Sequence, residues 1–213
     1  MASITETQVA MMQLLEDDNK PNIKLAFWNS ALSCRIRLDK NGKLARIMAS
    51  YVDKPLPDRE TLYQELKVTG ANIWRSHIDA LYAIERLYNQ GLLYFPTQAT
   101  LEEQKTWRRD MVGLIPGLAC KLISWAFFIY SPLDCKLLTL DCWHCKRLGV
   151  EQGKLSGSTA RAIDYYEQIE MLLMGECMGL YPDHLPQIVA AMLWLNYRNE
   201  GVTSHREISC RWY

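Results

Sequence analysis

Nowhere does this 213-residue chain string together the roughly 18 apolar residues that a membrane-spanning helix needs. Charge of one sign is missing too: 24 Lys and Arg balance 24 Asp and Glu, which argues mildly against a protein that coats nucleic acid indiscriminately. No glycine-rich phosphate loop follows a strand-like run, and no alternation of apolar and polar residues persists. The nucleotide-binding α/β folds are therefore disfavoured. No internal repeat is apparent. Seven cysteines is an odd number, which argues against a secreted disulfide framework and for a reducing compartment. The polar start Met1-Ala2-Ser3-Ile4-Thr5-Glu6 lacks the pattern of a secretory signal. An intracellular protein, cytoplasmic or nuclear and without a membrane partner, is the expectation.

What is present is helical periodicity. Hydrophobic residues make up 49% of the chain and charged residues 23%, as in ordinary globular proteins, and the length suits one domain over residues 1–213. Helical spacing of apolar residues covers 5–17 and 23–38, the latter closed by an Asp39-Lys40-Asn41-Gly42 turn. A short helix is expected over 44–52, and another opens at Asp58, a plausible N-cap just after Pro57. Further helices are expected over 73–89, 101–112, 122–130, 159–174 and 186–197. The fold class is all-α, with about nine or ten helices.

The richest segment is Ile115-Pro116-Gly117-Leu118-Ala119-Cys120-Lys121, followed twenty residues after its lysine by Asp141. A Pro-Gly turn between two helices leaves backbone N–H groups unpaired at the second helix's start, where the macrodipole favours anions. Lys121 stands in that first turn, before the apolar run 122–130. Low-dielectric protein beside it disfavours an ammonium and favours the nucleophilic amine. A carboxylate such as Asp141 can steady a developing cation and move protons. Read singly, Lys121 is a solvated first-turn lysine and Asp141 an N-cap contributing about 1 kcal/mol.

Together, these residues resemble the helix-hairpin-helix DNA glycosylases of the endonuclease III and 8-oxoguanine glycosylase superfamily. Those proteins carry Leu-Pro-Gly-Val-Gly-x-Lys and, some twenty residues later, an Asp that begins another helix. The run Asp141-Cys142-Trp143-His144-Cys145-Lys146-Arg147-Leu148-Gly149 is similar to the family's Asp-Thr-His-x-x-Arg-x-Leu-Gly at Asp141, Leu148 and Gly149. The likeness covers about residues 107–149. Ala119 replaces the second hairpin glycine, and Trp143 stands where the family often has histidine.

The resemblance implies a two-lobed helical fold with the helix-hairpin-helix at about residues 101–130. The N- and C-terminal helices would share one lobe. It implies a monomer acting on double-stranded DNA that contains a damaged base, with Lys121 and Asp141 catalytic. Gly113, Ile115, Pro116, Gly117 and Ala119 would meet a phosphate, in relatives often through a bound cation; no other cofactor is expected. Possession of the lysine implies a Schiff base, and hence lyase as well as glycosylase activity. An oxidised purine such as 8-oxoguanine is the first choice of lesion and an oxidised pyrimidine the second. Trp143 and Trp212 are candidates to stack on an extruded base; most of the seven tryptophans are expected in the core. A non-catalytic DNA- or protein-binding module is the rival reading.

Two weaker signals need weighing. Cys135, Cys142 and Cys145 suggest an iron–sulfur set, but a fourth thiolate is missing, since position 151 is Glu. Zinc through Cys142, Cys145 and His144 would need adjacent ligands that point apart. Free buried cysteines are the expectation, and no metal. From 101 to 161 nine Lys and Arg face six Asp and Glu, a modest basic excess that a solvated helical face would also show.

Overall fold

The computed structural model describes residues 22–33, 38–151, 155 and 157–198, and among these the secondary structure is nine α-helices with no strand. They are α1 (Ile23–Ser33), α2 (Leu38–Ala49), α3 (Arg59–Val68), α4 (Arg75–Asn89), α5 (Leu101–Leu114), α6 (Cys120–Tyr130), α7 (Cys142–Leu148), α8 (Ala160–Leu180) and α9 (Pro186–Arg198). The all-α class expected from periodicity is what is observed. None of these helices is long and apolar enough to cross a membrane. The helix expected over 5–17 and the candidate Trp212 lie outside the described residues.

Local chemistry sets most boundaries. Asp58 caps α3 by accepting the N–H groups of Glu60 and Thr61, each at 3.1 Å. Thr100 and Glu103 exchange capping bonds at the start of α5: the Thr100 N–H donates to Glu103 Oε2 at 2.7 Å, and the Glu103 N–H donates to Thr100 Oγ1 at 3.3 Å. Gly149 ends α7 in the left-handed conformation, φ 66°, with Val150 N–H reaching back to Cys145 O at 2.9 Å.

Two boundaries depart from expectation. The Asp39-Lys40-Asn41-Gly42 turn does not form, because this stretch lies inside α2. Leu44 and Met48, one turn apart, are both buried, and that burial outweighs the roughly 1 kcal/mol cost of an interior glycine. Likewise α8 runs to Leu180 rather than stopping near 174, through Gly175 and Gly179, because Leu173 and Cys177 on its inner face are buried.

Helix α1 is apolar nearly all round, and Ala26, Phe27, Trp28, Ala31 and Leu32 are buried. It packs against α2, α4 and α6. Trp28 Nε1–H donates to Leu81 O on α4 at 3.1 Å, and Ser30 Oγ–H donates to Leu122 O on α6. An aromatic cluster adds to this: Phe95, on the irregular segment before α5, lies 4.8 Å from Phe27, 5.0 Å from Phe127 and 5.6 Å from Trp107 between ring centroids. Helix α6 is thereby fixed from both sides, and in its first turn Cys120, Leu122 and Ile123 are buried while Lys121 is exposed. At the other end of the chain α9 packs on α8 and on the short α7.

Candidate active site

Helices α5 and α6 are joined by Ile115-Pro116-Gly117-Leu118-Ala119. Ile115 O accepts the Leu118 N–H at 3.2 Å, and Gly117 has φ 79°. Proline second and glycine third with positive φ is the pattern of a type II turn. A side chain at 117 would find open space but a strained backbone. Ile115 and Leu118 are buried and anchor the turn, while Gly113, Pro116 and Gly117 are exposed. Ala119, half-buried, is the N-cap of α6 and supplies no side-chain cap bond. The absent hydroxyl or carboxylate leaves the first amides of α6 without a side-chain acceptor. No residue from 113 to 119 carries a side-chain oxygen, and Ile115 O and Ala119 O already accept turn and helix N–H groups. With no side-chain ligand for a cation, the segment mainly presents backbone donors.

Lys121 follows in the first turn of α6. Its Nζ lies 3.7 Å from Asp141 Oδ2, with the lysine side chain 46% exposed and the aspartate side chain 11%. The structure thus brings the two candidate catalytic residues together. The desolvated amine expected from sequence is not observed: the lysine side chain is half-exposed beside one carboxylate.

Asp141 is the N-cap of α7, and its Oδ1 accepts the Trp143 N–H at 2.7 Å. Its own N–H donates to His144 Nδ1 at 3.2 Å, and His144 Nε2 meets Ala190 O of α9 at 3.1 Å. With an N–H facing Nδ1 and a carbonyl facing Nε2, the imidazole is the neutral Nε2–H form. Trp194 Nε1–H donates to Asp141 Oδ2 at 2.6 Å. His144 and Trp194 were not foreseen as partners of Asp141. The signal for His144 was its position, three residues after an N-cap, where Glu or Gln ordinarily closes a capping box; His77 makes the same bond to the Trp74 N–H at 2.9 Å.

The segment leading to Asp141 is held from behind. Arg108 of α5 and Glu170 of α8, both fully buried, form a two-pronged pair at 2.7 Å and 2.7 Å. Arg108 also donates to Ser124 Oγ on α6 at 3.0 Å. Glu170 Oε1 accepts the Leu138 N–H at 2.7 Å, while Tyr166 O–H donates to Leu138 O and accepts the Leu140 N–H, both at 2.9 Å. Burial opposes the charge of Arg108, but the Glu170 carboxylate outweighs it and keeps the guanidinium firmly protonated. Both sides of the Lys121–Asp141 pair, α6 and the irregular segment 138–140, are tied to this one network.

The basic excess noted in sequence is largely consumed within the protein. Lys105 pairs with Glu102, Arg108 with Glu170, Arg109 with Glu167 and Asp164, Lys121 with Asp141, and Arg147 with Glu176. Trp143 is half-buried beneath Lys146 Nζ, which stands 4.5 Å above its ring. Cys120, Cys135, Cys145 and Cys177 are buried and form no disulfide. Burial pushes the Cys120 thiol up to about 11 and the Cys177 thiol up to about 12. Among the described residues no three His, Cys, Asp or Glu side chains come together as a metal set, and both nitrogens of His144 are already engaged.

Burial pushes the His144 pKa below its usual value, aided by Lys121 and opposed by the Ala190 bond, Asp141 and Glu176. The folded pKa is depressed relative to about 6.5 unfolded, so this residue's contribution is complete above that value. It is lost as pH falls through about 6.5 toward the folded pKa, where the unfolded chain binds the proton first. Thermal melts of wild type should therefore drop more steeply between about pH 7 and pH 5 than those of His144→Gln. Parallel curves would show that His144 does not report the folding of this corner.

No family model matches this chain, and no curated protein or solved structure matches it.

Proposed function

We propose that the protein is a bifunctional DNA glycosylase and abasic-site lyase of the helix-hairpin-helix type, excising an oxidised purine such as 8-oxoguanine from duplex DNA. In this reading it is an intracellular monomer with a two-lobed arrangement, and the Pro116-Gly117 turn docks one phosphate. The observation that carries the reading is the approach of Lys121 Nζ to Asp141 Oδ2, 3.7 Å, at the start of two different helices. A nucleophilic amine beside one carboxylate, next to uncapped amides that favour an anion, is a constellation suited to attack on a sugar.

Lys121, as the free amine, attacks C1′ of the extruded nucleotide. The glycosidic C–N bond breaks, and its electron pair leaves with the base, which takes up a proton. Negative charge on Asp141 favours the cationic sugar as that bond lengthens. Asp141 then receives the proton that the attached nitrogen loses. Opening of the C1′–O4′ bond gives an iminium, and Asp141 passes its proton to O4′. Loss of a C2′ proton then expels the 3′ oxygen with its phosphate, which nicks the strand.

Two observations favour the rival module without chemistry: Ala119 replaces the expected second glycine, and the cations around the turn are mostly paired. A lesion panel decides between them. Duplexes bearing 8-oxoguanine, thymine glycol, uracil or an abasic site are incubated with the protein and borohydride, then scored for released base and trapped adduct. Release of 8-oxoguanine with an adduct is the expected result. Thymine glycol alone would make it an oxidised-pyrimidine enzyme, and the abasic site alone a lyase without glycosylase activity. An unbound, uncut panel would remove DNA repair from consideration.

A further inference from the structure

Asp141 needs one oxygen to cap α7, and Oδ1 does this through the Trp143 N–H. The second oxygen has its own donor, Trp194 Nε1–H at 2.6 Å, carried on α9 fifty-three residues away. That oxygen, Oδ2, is the one facing Lys121 Nζ. Four residues before Trp194, on the same side of α9, Ala190 O holds His144. Helix α9 therefore grips the Asp141 corner twice: once through the helix that Asp141 caps, and once through the carboxylate itself.

We propose that Trp194 is a positioning residue whose indole N–H fixes the plane of the Asp141 carboxylate so that Oδ2 stays aimed at the Lys121 amine. The role rests on the glycosylase–lyase reading above. A carboxylate held at Oδ1 alone can turn about its terminal bond, a soft two-fold torsion. A second donor at Oδ2 removes that freedom. Indole suits the task because it is a donor only. It leaves the carboxylate's charge intact, where a Lys or Arg donor would neutralise it, and it cannot take the proton that the amine must lose.

The test compares full-length wild type with Trp194→Phe, which keeps an aromatic ring on α9 and removes the donor. With a lesion duplex in single-turnover conditions, the rate of borohydride trapping should fall about ten- to a hundredfold, the loss of one charge-assisted hydrogen bond, while duplex affinity changes less than about threefold. A merely structural role would lower melting temperature and affinity together and leave the trapping rate of folded protein unchanged. In 15N-labelled protein, the indole resonance that disappears in Trp194→Phe should shift in Asp141→Asn. Trapping by Trp194→Phe at the wild-type rate overturns the positioning role alone, whereas an indole resonance indifferent to Asp141→Asn overturns the hydrogen bond on which it stands. A wild-type protein that traps no duplex overturns the catalytic reading and this role together, with the indole shift still reporting the contact.

Discussion

Replacing Lys121 by glutamine is expected to eliminate the borohydride-trapped adduct altogether. Glutamine is a good helix former of similar length, and the side chain it replaces is half-exposed with a single ion-pair partner. Stability should therefore change by less than about 0.5 kcal/mol, as at most surface positions. The Pro116-Gly117 turn and the amides of α6 are untouched, so duplex affinity should persist. An amide nitrogen cannot form a Schiff base, and the chemistry has no substitute on this face: among the described residues only Lys121 has an amine beside Asp141. Gel analysis of the reduced mixture reads the outcome directly. An adduct formed by Lys121→Gln at the wild-type rate would assign the nucleophile to another amine.

Glu170→Ala should cost about 3–5 kcal/mol in urea unfolding, a large share of a typical domain's stability. The substitution strands the fully buried Arg108 cation and leaves the Leu138 N–H without its acceptor. Both are buried polar groups, and each is expensive to leave unpaired. The double variant Arg108→Met/Glu170→Leu should recover most of the loss, because removing both charges removes the desolvation cost as well. A loss below about 1 kcal/mol for Glu170→Ala would mean that water or a neighbouring carboxylate, such as Glu167, 3.4 Å from Arg108, takes over the pairing.

Helices were legible wherever local signals agreed. Asp58 after Pro57 and the apolar run of α6 each read the same in sequence and in space. Legibility failed where a residue's local preference lost to packing. Asn41 and Gly42 suggest a turn, yet the burial of Leu44 and Met48 carries α2 through them. Gly175 and Gly179 suggest an end to α8, yet its inner face continues past them. Lys121 and Asp141 could be named from their spacing after the Pro-Gly turn, but nothing in that spacing names Trp194 or Glu170. These partners lie 53 residues from Asp141 and 62 from Arg108, and pairings of that range leave no periodic trace. Arg108 illustrates the limit. In sequence it counted toward a basic surface; in the fold it is fully buried.

That burial changes the thermodynamics of any encounter with a polyanion. A protein gains affinity for a duplex chiefly by displacing condensed counterions with its own free cations, and this gain shrinks as salt rises. Here five of the nine Lys and Arg between 101 and 161 already sit on carboxylates, so few ions would be released. Whatever hold the Pro116-Gly117 turn has on a phosphate would come from backbone amides whose dipoles are fixed by the fold. Such a grip is short in range and weakly dependent on ionic strength. It favours recognition on contact over capture from a distance.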